Sequence, residues 1–146
     1  GARALDLAGR YLLPGFIEMH GHLAIAAWEI DSSGPKRVLR YPYDEVATLE
    51  LTRSQLAFGI TTVRNPAGPT KETVSLRNRV RFGELVGPRI IMAGAPLDRP
   101  GPNTAMDAVT TEAEVRAAVA KQAAAGVDFI KLYSTPRLGP GALGRG

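Results

Sequence analysis

Short apolar runs of strand length alternate with helix-like stretches along the whole chain, and that order restricts it to a parallel α/β architecture. The strand-like runs are Phe16 to His22, Gly59 to Arg64, Arg89 to Ala93 and Phe129 to Leu132. Ile90-Ile91 makes the third apolar on both faces, as a strand buried in a parallel sheet requires. The helix-like stretches carry their own boundary signals. Asp44, following Pro42, is a good N-cap for a first helix that ends at Gly59, with Val46, Ala47, Leu49, Leu51, Leu56 and Phe58 spread over a broad face. Thr70 is read as the cap of a second helix reaching Leu85, before the Gly87-Pro88 turn. Thr111-Glu112-Ala113-Glu114 fits a capping box for a third, with Val115, Val119 and Ala123 on one stripe and Gly126 as its stop.

The first run ends in Glu18-Met19-His20-Gly21-His22 and so sets two imidazoles two residues apart, the only histidines in the chain. On a strand, residues i and i+2 share a face. A strand over Phe16 to His22 would thus let both rings converge on one borderline-soft cation such as Zn²⁺. An isolated His-x-His is more often accidental, so the pair gains weight only from its surroundings. With no cysteine, disulfides and thiolate metal sites are excluded, leaving His, carboxylate or modified Lys as ligands.

The net charge of +4 and pI near 9.8 raise the question of nucleic acid. Basic residues are scattered, however, and the densest group, Arg77, Arg79 and Arg81, shares its stretch with Glu72 and Glu84. That pattern reads as a solvated helix face and predicts no nucleic-acid partner. No apolar run approaches the ~20 residues of a membrane span and no signal pattern opens the chain, so the expectation is a soluble, cytoplasmic protein without membrane contact. Apolar residues at 45% suit a buried core.

The residues around the histidines carry a resemblance. Asp6-Leu7-Ala8-Gly9-Arg10-Tyr11-Leu12-Leu13-Pro14-Gly15, running into His20-Gly21-His22, resembles the signature of the amidohydrolase superfamily: an acidic residue, a Gly turn, a short apolar strand, Pro-Gly, then a first barrel strand ending in His-x-His. Gly59-Ile60-Thr61-Thr62-Val63-Arg64, Gly87-Pro88-Arg89-Ile90-Ile91-Met92-Ala93-Gly94 and Gly126-Val127-Asp128-Phe129-Ile130-Lys131-Leu132-Tyr133 resemble its second, third and fourth strands. The likeness is to the imidazolonepropionase-like and prolidase-like branch. It implies the N-terminal half of a TIM-like (β/α)₈ barrel, roughly four βα units, over residues 14–134, preceded by the last strand of a small β-sandwich domain (Arg10 to Leu13) within 1–13. Residues 135–146 are Gly/Pro-rich and predict disorder. A whole barrel takes about 250 residues against 146 here, so the expectation is a fragment.

The resemblance also implies chemistry. In such enzymes a binuclear centre is held by the His-x-His pair, a bridging lysine carboxylated by CO₂, two later histidines and a late aspartate that is the general base. Matched residue by residue, His20 and His22 are the first pair and Lys131 the bridging lysine; no counterpart of the other ligands or the base lies in this chain. Lysine is cationic near neutrality, with a pKa of about 10.4. Burial lowers that pKa and lets the amine take up CO₂ as an anionic carbamate; the structural reading of Lys131 is instead a partly buried cation paired with Asp128. Strand order places all three residues at one mouth, where barrel enzymes build their sites. One or two zinc ions would activate a water for hydrolysis of an amide or cyclic C–N bond in a small amide, dipeptide or lactam-like substrate. Glu18 and Asn65 stand where the family more often has Asp. The connections Leu23 to Pro42 and Gly94 to Thr110, without regular structure, would border the pocket, and Trp28, Tyr41 and Tyr43 would supply apolar contact or cover the adjacent helix. The contrasting reading is a non-catalytic half-barrel that self-associates through exposed sheet edges, and homo-oligomerisation is expected in either case.

Overall fold

The computed structural model describes residues 2–35, 37–101, 103 and 106–133. In chain order its elements are β1 (Phe16–Glu18), β2 (Glu29–Asp31), β3 (Val38–Arg40), α1 (Glu45–Ala57), β4 (Ile60–Asn65), α2 (Thr70–Arg81), β5 (Arg89–Met92), β6 (Leu97–Asp98), β7 (Asp107–Ala108) and α3 (Glu112–Ala125). The main sheet is parallel, in the order β1-β4-β5. Parallel neighbours require crossovers, and α1 and α2 provide them, giving an α/β fold of parallel βα units. No helix among the described residues is long and apolar enough to cross a membrane.

Leu23, Val63, Leu76, Ile90 and Met92 form the buried cluster, one from the loop after β1, one from each of β4 and α2, and two from β5. Each such side chain contributes about 1.5–3 kcal/mol when fully buried. The first helix follows its sequence signals: Asp44 accepts from the Ala47 N–H at 3.0 Å as N-cap, and the helix stops just before Gly59. Only part of the apolar face read from the sequence is seated: Leu49 and Leu51 pack against the core. Thr48 and Thr52, one turn apart, are its buried residues, while Val46 and Phe58 are exposed. The Pro14-Gly15 step also has a steric cause, because a Cβ on Gly15 would collide with the Thr61 side chain on β4.

Several expected boundaries move. Arg10 to Leu13 forms no strand: no second strand lies beside it among the described residues, and Tyr11, Leu12 and Leu13 are exposed. Thr70 does not cap α2; Pro69 takes that position, and the Thr70 hydroxyl instead accepts the Ala95 N–H at 3.0 Å. The helix ends at Arg81 rather than Leu85. Gly83, at φ 78°, lets the Glu84 and Gly83 N–H groups turn back onto the Arg79 and Val80 carbonyls, at 2.9 and 3.1 Å, a Schellman closure. The connections taken as irregular contain pairs of short strands, antiparallel β2–β3 and parallel β6–β7. Asp31 ties the first pair together by accepting from Ser33 and Arg40, which holds its carboxyl down at about 2. Residues 135–146 lie outside the described residues.

The fourth strand-like run is the largest departure. Only Leu132 pairs, through an isolated parallel bridge to Leu97. Asp128 explains why. Its backbone N–H donates to the Met92 carbonyl at 2.8 Å, but its carboxylate, not a backbone carbonyl, accepts the Met92 N–H at 2.9 Å. A side chain thus occupies a ladder position on β5 and the segment leaves the sheet plane. Arg77 also departs from the solvated face assigned to it, with a largely buried side chain that pairs with the same carboxylate at 3.1 Å.

The capping box and Gly126 stop of α3 form as expected. Its inward residue is Gln122, which donates to the Ala95 carbonyl and to Asp107, while Val119 and Ala123 face outward. This generates a paired prediction for chemical denaturation followed by circular dichroism. Leu76→Ala should lower stability by about 2–5 kcal/mol through cavity formation, and Val119→Ala by no more than about 0.5 kcal/mol. Equal losses would place the Val115–Val119 stripe inside after all.

Candidate functional site

β1 ends at Glu18, so strand alternation does not bring His20 and His22 together. The Glu18 carboxylate accepts the His20 N–H at 2.8 Å, folding the backbone back on itself, and the Gly21 N–H reaches the Arg64 carbonyl at 3.2 Å. The bend nevertheless juxtaposes the rings. Their centroids lie 5.2 Å apart with planes inclined at 65°. Zn–N bonds of about 2.0 Å and a tetrahedral angle put two coordinated rings about 5 Å apart, so this spacing is compatible with a shared cation.

His22 is half-buried and its Nδ1 lies 3.4 Å from the Ala67 carbonyl, a long contact. A carbonyl only accepts, so this contact is a hydrogen bond in the tautomer with the proton on Nδ1, which leaves the Nε2 lone pair for a cation. Metal-bound histidines are characteristically oriented in this way, by a carbonyl or carboxylate on the other nitrogen. Burial lowers the His22 pKa below 6.5; the Ala67 contact opposes the shift, and the nearby positive charges of His20 and Lys131 reinforce it. His22 also walls a cavity of ≈ 260 Å³, together with Ile25, Tyr41, Met106 and Tyr133. Of the three aromatics singled out in the connections, Tyr41 enters this wall, whereas Trp28 is exposed at 66%. A larger cavity of ≈ 550 Å³ along β5 and α2, lined by Arg77, Arg81 and Arg89, includes neither histidine nor Lys131.

Lys131 follows the run that Asp128 deflects. Its carbonyl accepts the Leu97 N–H at 2.9 Å, and its Nζ lies 4.8 Å from the centre of the Tyr133 ring. The pairing with Asp128 allowed by the sequence is not formed, because Asp128 is engaged by Arg77. The charge of Lys131 adds the smallest of the contributions that lower the His22 pKa. Among the described residues no group of three or more His, Cys, Asp or Glu side chains could hold a metal. Two imidazoles with one usable lone pair each and a lysine that binds a cation only as a carbamate therefore fit part of a metal site.

At these strand ends Arg64 escaped the sequence reading, and Asn65 was singled out only as a departure from Asp. Arg64 crosses from β4 to donate to the Met19 carbonyl at 3.3 Å and stacks over Phe129 at 4.3 Å, linking the histidine bend to the Lys131 segment. Asn65 is fully buried at the end of β4, where it accepts the Leu23 N–H and donates to the Ala67 carbonyl. The Asn65-Pro66 step was the available signal, since Asn-Pro favours the start of a turn.

No protein-family model and no curated protein matches the chain. Solved structures do. A structure from Bifidobacterium longum described as a prolidase is 28% identical over 86% of this chain and 27% of its own, with a TM-score of 0.64. A Xaa-Pro dipeptidase with methionine bound in its active site is 26% identical over 86% of this chain and 34% of its own, at TM-score 0.56. An amidohydrolase matches at TM-score 0.69 with 21% identity, over 94% of this chain and 37% of its own, a likeness of fold. The chain thus spans about a third of the length of the proteins it matches. In fold and sequence the chain is similar to prolidases, and in fold to an amidohydrolase, over about a third of their length.

Proposed function

We propose that these βα units are part of a (β/α)₈ barrel and that His20, His22 and Lys131 are its share of a divalent-metal site for hydrolysing an amide or cyclic C–N bond. The observation that supports this reading is the pairing of the His20 and His22 rings, 5.2 Å apart just beyond the end of β1, with the Ala67 carbonyl facing His22 Nδ1. When bound, zinc would supply Lewis acidity toward a carbonyl and an activated water. The chain's own residues would do the rest. His20 and His22 would hold the metal, and Lys131, as a carbamate formed from its neutral amine and CO₂ with loss of a proton, would offer two anionic oxygens. The apolar wall of Ile25, Tyr41, Met106 and Tyr133 would exclude water beside it. The prolidase likeness makes a dipeptide or similar small amide the favoured substrate class, with the further ligands and the base outside these residues.

A second reading, a non-catalytic module that self-associates, draws on the exposure of Phe16, Ile17 and Met19 along the β1 edge. Zinc separates the two. The chain should bind Zn²⁺ weakly through two neutral imidazoles, and a His20→Ala, His22→Ala double variant should lose that binding in a calorimetric titration. A chain that takes up no zinc and forms oligomers in light scattering favours the module instead.

Lys131 provides a sharper test in protein that also carries the remaining ligands. Lys131→Arg should abolish binuclear metal loading and turnover, because guanidinium stays cationic and forms no carbamate; an active Arg variant indifferent to bicarbonate would end the assignment.

The depressed pKa of His22 predicts a pH effect in the metal-free chain. The unfolded state takes up the proton first, near 6.5, so the contribution of neutral His22 is present above that pH and is lost as pH falls through the lower folded value. Denaturation midpoints should drop on acidification below about pH 6.5, and His22→Phe should flatten that limb; an unchanged pH profile would remove His22 as its source.

A further inference from the structure

We infer that Asn65 is the positioning residue for His22, and that it acts through the ability of a carboxamide to accept and donate at once. Its Oδ1 accepts the N–H of Leu23, the residue next to His22, at 2.8 Å. Its Nδ2 donates to the Ala67 carbonyl at 3.0 Å, the same carbonyl that faces His22 Nδ1 at 3.4 Å. One side chain therefore holds the backbone that carries the imidazole and the acceptor that orients it. The amide orientation is dictated by the partners, since Leu23 N–H only donates and Ala67 C=O only accepts. Two lone pairs let that carbonyl serve both Nδ2 and Nδ1.

Asn65 is suited to the task by its own fixation. It is fully buried at the end of the central strand, and its carbonyl accepts the Ala93 N–H at 2.9 Å. A carboxylate at this position would keep the Leu23 contact but turn an oxygen toward the Ala67 oxygen. Repulsion between two acceptors in a buried site would displace the turn at 66–68 and release Nδ1.

The orientation stands without metal; its consequence for affinity rests on the proposed metal site. The test is long-range ¹H–¹⁵N NMR of the histidine-labelled, metal-free chain at a pH where both rings are neutral. His22 should carry its proton on Nδ1 in the wild type and lose that preference in Asn65→Asp and Asn65→Ala. Leu76→Ala, destabilised through the core, should keep it. An Nε2–H tautomer in the wild type overturns the inference without recourse to any variant, as does an Nδ1–H tautomer retained in Asn65→Asp. A zinc titration forms the second arm, in which Asn65→Asp should bind about tenfold to a hundredfold more weakly. Equal zinc affinity in wild type and Asn65→Asp counts against the inference, whereas no zinc uptake by the wild type, with the tautomer result intact, overturns the metal site and leaves the positioning role supported.

Discussion

β4 is hydrogen-bonded on both edges to strands running in its own direction, and this pairing governs where the histidine bend and Asn65 lie. A parallel neighbour is reached only by a crossover long enough to return the chain to the starting end of the sheet, which α1 and α2 accomplish. Each strand consequently delivers its C-terminal end to the same edge. The histidine bend after β1, Asn65 at the end of β4 and the Ala93 N–H after β5 are brought to one place by that rule, and hydrogen bonds then join them.

Elements with strong local chemistry were legible in the sequence. Asp44 and the Thr111 capping box set the starts of α1 and α3 because a side-chain oxygen satisfies a free N–H within three residues, a decision that needs no distant partner. The β4 and β5 runs were legible because both have neighbours that cover them. Where the deciding partner was remote, the reading failed. Thr70 looks like a cap until Ala95 claims its hydroxyl. The run before Lys131 looks like a strand until the Asp128 side chain takes the Met92 N–H. The most deeply buried residues of α1 and α3 are Thr48, Thr52 and Gln122, whose hydroxyls and amide a hydrophobic pattern cannot see, although Leu49 and Leu51 of α1 also pack on the core.

The candidate site divides in the same way. The sequence sets His20 and His22 side by side through strand alternation, whereas in the structure the bend at Glu18 brings the rings together. Lys131 was singled out only by its match to a motif, which no local pattern around it would have supplied. Arg77 was misassigned to the solvent because its partner, Asp128, lies far along the chain. The Arg77–Asp128 pair couples α2 to the segment carrying Lys131, so the lysine depends for its place on a helix that contributes nothing else to the site.

The residue after Asn65 adds a chemical dimension to the positioning role. Asparagine side chains age chiefly by cyclisation, in which the next backbone nitrogen attacks the side-chain carbonyl and ammonia departs, leaving aspartate or its isomer. Pro66 offers no N–H for that attack. The Asn65 carboxamide, buried and donating to Ala67, is thereby shielded from slow conversion into the very carboxylate that would release His22. The proline that ends the strand also serves as a chemical lock on the lifetime of the site.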